Sequence, residues 1–202
     1  MNGPNVLTTL RILMVPLLGW MLIAFPDDPV MRIWTTVVFI VAMLTDLIDG
    51  WWARRANLIT NFGKIADPIA DKLMTGMALV GLSVIGELWW WVTIVILVRE
   101  WGITLMRFAL LRFGEVQAAN KGGKIKTVVQ TVALILFLLP LPLLQWGVPL
   151  EPLHLVELAS WILMMIALAL TVVSGIDYVR AAIRMVREHD ARKLVEKHES
   201  GS

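Results

Sequence analysis

The 202 residues contain no cysteine. Neither a disulfide framework nor a thiolate metal site can therefore be built. Charge is also scarce: 17% of the chain is Asp, Glu, Lys or Arg, against about 25% in ordinary soluble domains. No internal repeat, low-complexity tract or Gly/Ser linker divides the sequence, so residues 1–202 read as a single domain. What is abundant is apolar side chain, at 58% of residues, with a mean hydropathy of +0.74. A soluble core of this size could not hide that much. A soluble globular domain, a disordered chain and a disulfide-stapled module are all excluded. Tryptophan occurs ten times, and its preferred place is the membrane–water boundary.

A helix needs about 20 apolar residues to cross the ~30 Å hydrocarbon core. Six stretches qualify: 6–25, 30–53, 67–85, 88–111, 124–145 and 153–183. The expected fold is all-α, an integral membrane protein of six transmembrane helices. The first stretch is expected to remain as a span, because it is too long for a signal-peptide core and no small-x-small cleavage site follows. Loops 54–66 and 112–123 and the C-terminal tail carry most of the lysine and arginine, whereas Arg32 is the clear cation on the opposite side, among Asp27, Asp28, Glu87 and Glu151. By the positive-inside rule both termini are cytoplasmic. Trp89, Trp90 and Trp91 then mark the outer interface, Trp51 and Trp52 the inner one. The basic tail is expected to meet anionic lipid headgroups, and no nucleic-acid partner is expected.

Polar residues concentrate where two stretches meet. Asp46, Asp49, Gly50 and Ala53 are spaced i, i+3, i+4, i+7 and share one helix face. Gly63, Asp67 and Asp71, at i, i+4, i+8, share another. Four aspartates within 26 residues, at the inner ends of membrane helices, are costly unless neutralised. They could pair with Arg54, Arg55, Lys64 and Lys72, line a proton or cation pathway, or hold metal. Carboxylate oxygens without His or Cys suit hard cations such as Mg2+, Mn2+ or Ca2+. The small residues on the same faces leave room for close helix packing or for a bulky ligand.

The pattern Asp46-x2-Asp49-Gly50-x2-Ala53-Arg54-x8-Gly63-x3-Asp67-x3-Asp71 resembles the signature of the CDP-alcohol phosphatidyltransferase family at all eight positions. That resemblance implies a membrane transferase that takes the phosphatidyl group from a CDP-linked donor, passes it to an alcohol and releases CMP. It implies two ions, Mg2+ or Mn2+, on Asp46, Asp49, Asp67 and Asp71. It places the nucleotide of CDP-diacylglycerol against Asp46, Asp49, Gly50, Ala53, Arg54 and Gly63. Asp71 is then the base, and a homodimer is expected.

The signature does not choose the alcohol. Arg99 and Glu100 lie midway along the fourth stretch, and Arg99, Ile103 and Arg107 fall within about 80° of one face. In the fifth stretch Lys124, Thr127 and Thr131 share a face, while Lys126 points about 200° from Lys124, toward headgroups. Arg99 and Glu100 could be a buried structural ion pair, and Lys124 and Lys126 ordinary flanking charge. Read functionally, Arg99, Arg107, Lys124 and Lys126 form a cationic pocket for a phosphorylated acceptor. With the opening Pro4-Asn5-x2-Thr8-x2-Arg11, these segments resemble the bacterial family members that use sn-glycerol 3-phosphate. The expected product is phosphatidylglycerophosphate, made at the cell's inner (plasma) membrane with the site facing the cytoplasm. The alternatives are an inositol-phosphate acceptor within the family and, more remotely, a cation transporter using the aspartates.

Overall fold

The computed structural model describes residues 3–55, 61–111, 121–140 and 150–199, with side chains over narrower stretches of them. Among the described residues there are six helices and no strand: α1 (Gly3–Ala24), α2 (Pro29–Arg55), α3 (Asn61–Val84), α4 (Trp90–Leu111), α5 (Lys121–Leu138) and α6 (Leu150–Glu199). Each overlaps one of the six apolar stretches. The fifth and sixth differ most from expectation. α5 stops at Leu138, because Pro140 cannot continue a helix. α6 continues to Glu199, well beyond its apolar stretch.

Among the described residues three segments are long and apolar enough to cross a bilayer: Leu7–Ala24, Pro29–Asp46 and His154–Arg187. Their outward faces agree with that. On α1 the exposed Leu10, Leu13, Leu17 and Trp20 form one stripe at helical spacing. The opposite stripe of α1 holds Thr8, Arg11, Val15, Leu18 and Leu22, all buried. Apolar residues thus cover the outside, while the few polar ones turn inward, as expected where the surrounding solvent is lipid.

Local signals set the turns. Asp28 caps α2 by accepting the Val30 and Met31 amides at 2.8 and 3.2 Å, with Pro29 in the first helical position. Gly86, at φ +83°, ends α3; the Glu87 amide reaches back to the Leu82 carbonyl at 2.9 Å.

α1 packs against α3 and α2, α5 runs along α6, and α4 bridges α3 and α6. The α1–α3 contact is close because each helix offers a glycine to the other. Gly19 faces Met77, and Gly81 faces Leu22. At the end remote from the aspartates, buried Arg32 forms a two-pronged pair with Glu87 at 2.9 and 2.7 Å. Its Nη2 also donates to the Phe137 carbonyl at 2.9 Å, and Thr36 donates to that of Leu138 at 2.9 Å. α2 thereby satisfies two terminal carbonyls of α5. Beside this end Trp89 stacks with Trp91 and meets Trp161, which stands edge-on to Phe137.

Candidate active site

The inward stripes of α1, α2 and α3 converge on the aspartates. Arg11 Nη1 pairs with Asp46 Oδ1 at 2.8 Å. Thr8 donates to Asp67 Oδ1 at 2.5 Å. Asp71, one turn beyond Asp67 and partly buried, lies within electrostatic range of Asp46, Lys72, Lys126 and Arg11. Asp46 on α2 and Asp67 and Asp71 on α3 are therefore brought toward one another, with α1 packed against both helices. Pro68 has no amide to donate to the carbonyl four residues earlier in α3, so the ladder lacks one bond in the turn that leads into Asp67.

Asp49, Gly50, Ala53 and Arg54 lie in the last turns of α2, and Gly63 in the first turn of α3. Their side chains fall outside the described residues, as do those of Trp51 and Trp52. Among the described residues no three acidic or histidine side chains form a compact metal cluster; Asp49 falls outside that set. The donor set itself is all oxygen. Two of its carboxylates are each fixed by a partner on α1, the kind of outer-layer hydrogen bonding that orients metal ligands. Thr8 and Arg11 entered the sequence reading only as part of a motif. Their place on the buried stripe with Val15, Leu18 and Leu22 is the signal that points them inward.

A second polar cluster adjoins the first, since Lys72 follows Asp71 in α3. It centres on Glu100 of α4, 11% exposed. Lys72 Nζ pairs with Glu100 Oε2 at 2.8 Å. Lys126 Nζ pairs with Oε1, which Arg99 Nη1 also approaches at 3.5 Å. Arg99 is braced by α6: Nε donates to the Thr171 carbonyl at 3.1 Å and Nη2 to Ser174 Oγ at 2.6 Å. Gly175 makes room for it, because a Cβ there would sit 3.2 Å from Arg99 Cγ. Three cations thus surround one carboxylate.

The expected direction of Lys126 is corrected. It does not point toward headgroups but is buried, 3% exposed, with its ammonium on Glu100. The inward stripe of α5 is Gln130, Ala133, Leu134 and Phe137, and Lys126 stands one turn before Gln130. Following that stripe backward would have found it. Thr127, expected inward with Lys124, is exposed. Arg107 and Lys124 have side chains outside the described residues. Lys72, Thr171 and Ser174 were missed as parts of this cluster; the sequence reading had Lys72 only as a counter-charge for the aspartates, and Thr171 and Ser174 are unremarkable in an apolar helix. Among the described residues, Thr171 Oγ1 and Gln130 Oε1 are buried polar atoms without a hydrogen-bond partner.

Acidic oxygens on α2 and α3 stand next to a cluster of cations on α3, α4 and α5, an arrangement chemically suited to phosphate groups. The family model for CDP-alcohol phosphatidyltransferase matches residues 1–173, and the chain belongs to that family. It is 44% identical to a probable phosphatidylglycerophosphate synthase of Mycobacterium tuberculosis, over 91% of this chain and 82% of the relative. A CDP-diacylglycerol–glycerol-3-phosphate 3-phosphatidyltransferase of Bacillus subtilis is 38% identical, over 88% of this chain and 93% of the relative. A Rickettsia bellii protein of the same name is 32% identical, over 89% and 94%.

Proposed function

We propose that this protein transfers the phosphatidyl group of CDP-diacylglycerol to the 1-hydroxyl of sn-glycerol 3-phosphate, giving phosphatidylglycerophosphate and CMP. The observation that carries the acceptor is the cluster of Lys72, Arg99 and Lys126 around Glu100, beside the aspartates. A donor site built of aspartates has no need of these cations, whereas an anionic second substrate does. The names of the relatives support the same pair of substrates.

Asp46, Asp49, Asp67 and Asp71 would hold two divalent ions, Mg2+ or Mn2+, through oxygen donors alone. When bound, such ions neutralise the donor's pyrophosphate and the departing CMP. Gly50, Ala53 and Gly63 give the nucleotide a close approach to the helices, and Arg54 supplies a cation to a phosphate oxygen. Arg99, Arg107, Lys124 and Lys126 hold the acceptor's phosphate. Asp71 takes the proton of its hydroxyl as the new P–O bond forms and the bond to CMP breaks. The diacylglycerol tails stay among the lipids. The accompanying architecture is six spans with both termini and the site on the cytoplasmic side of the inner membrane, the protein acting as a homodimer.

The test is CMP release from CDP-diacylglycerol with metal and one acceptor at a time: glycerol 3-phosphate, inositol phosphate, inositol or serine. Release that depends on glycerol 3-phosphate is expected. Preference for inositol phosphate would overturn the acceptor while leaving the reaction type intact.

A further inference from the structure

Glu100 is oddly matched to its surroundings if stability is its purpose. One cation would neutralise it, and burying more charge than that is costly. It instead meets Lys72 from α3, Lys126 from α5 and its own neighbour Arg99, at a position only 11% exposed. Three cations therefore face the single carboxylate of Glu100. The cluster borders the aspartate site, since Lys72 and Lys126 both act on Asp71. A phosphate monoester carries about −1.5 to −2 at pH 7, an anion that such a group of cations suits.

The two carboxylate oxygens divide the work. Oε2 takes Lys72, and Oε1 takes Lys126. Lysine is a compact charge on a flexible four-carbon stem and does not hold a position by itself. Glu100 supplies what the two stems lack. We propose that Glu100 is a positioning residue for the acceptor: it holds Lys72 and Lys126 as a fixed pair of ammonium groups and so sets where the acceptor's phosphate binds. This rests on the phosphorylated-acceptor reading above. It assigns no proton transfer and no contact with donor to Glu100. Arg99, braced on Thr171 and Ser174, keeps its direction without Glu100.

The measurement is steady-state CMP release by the full-length protein in lipid–detergent micelles, with both substrates varied. Glu100→Gln keeps the shape of the side chain and removes its charge. It should raise the KM for glycerol 3-phosphate by ~10-fold, equivalent to ~1.4 kcal/mol. The KM for CDP-diacylglycerol should stay within about twofold, and Glu100→Asp should recover part of the loss. An unchanged acceptor KM, or an equal rise in both KM values, overturns the proposal. A role in stability alone would lower the unfolding temperature without splitting the two constants. If Glu100→Gln cannot be extracted folded, Lys72→Gln decides: the same selective rise supports the proposal, and its absence overturns it. Wild-type protein that releases no CMP with glycerol 3-phosphate would instead defeat the acceptor reading itself. Wild-type activity with an unsplit Glu100→Gln defeats only the role of Glu100.

Discussion

Two polar side chains on α1 control how two of the aspartates present themselves. Thr8 fixes one oxygen of Asp67, and Arg11 fixes one of Asp46. Partners of metal-binding carboxylates are typically worth about 10–100-fold in metal affinity or activity. Thr8→Val should therefore raise the Mg2+ concentration for half-maximal activity by at least ~10-fold, with turnover recovering at saturating metal. Asp67→Asn, which removes a proposed ligand, should stay inactive at any metal concentration. Unaltered metal activation of Thr8→Val would show that α1 does not tune the site. At this scale the nearness of Asp46 to Asp71 was legible, because 100° per residue is enough to place the aspartates on shared faces; the side chain of Asp49 lies outside the described residues. Lys126 was misread because its direction was taken from Lys124 rather than from Gln130, Ala133 and Leu134. Lys72 could not be assigned to Glu100 from sequence, because the pair joins two helices 28 residues apart and no periodicity connects them.

The helices were the most legible feature, since each apolar stretch carries its own ends. Asp28-Pro29 begins α2 and Gly86 ends α3, both through local backbone needs. Which helices touch was not legible. α1 and α3 are not consecutive, yet they share a close contact through Gly19 and Gly81. A Cβ at Gly81 would come within 2.5 Å of Leu22 Cδ2, closer than real contacts allow. Gly81→Val should force α1 and α3 apart at a cost of about 1–3 kcal/mol. Because α1 also carries Thr8 and Arg11, activity should fall although the substitution lies some four turns from Asp67. Pairing it with Leu22→Ala should restore part of both losses. Thermal unfolding in detergent and CMP release measure the two effects; full activity of Gly81→Val with a lowered unfolding temperature would uncouple the packing from the site.

For the whole molecule, the distribution of polarity was legible before any contact was. The apolar excess demanded lipid, and Arg32, buried at the end remote from the aspartates, demanded an answer that Glu87 and the end of α5 supply. The length of α6 was not legible, because the apolar pattern ends long before the helix does. Its 50 residues extend about 75 Å at 1.5 Å each, more than twice the ~30 Å hydrocarbon core. One unbroken helix therefore lives in two solvents. Where Ser160, Met164, Ala167 and Thr171 pack inward, its backbone hydrogen bonds are shielded by neighbours and lipid. Past Arg187 the apolar segment is over, and amides that lie beyond the hydrocarbon core are expected to open more readily. Deuterium uptake should accordingly be slow through 160–171 and fast in 188–199, with no break in secondary structure between the two. Uniform protection along the whole helix would mean that its far end is covered by something more than water. The expected outcome for α6 is a steep gradient in the lifetime of its hydrogen bonds along a helix of continuous shape.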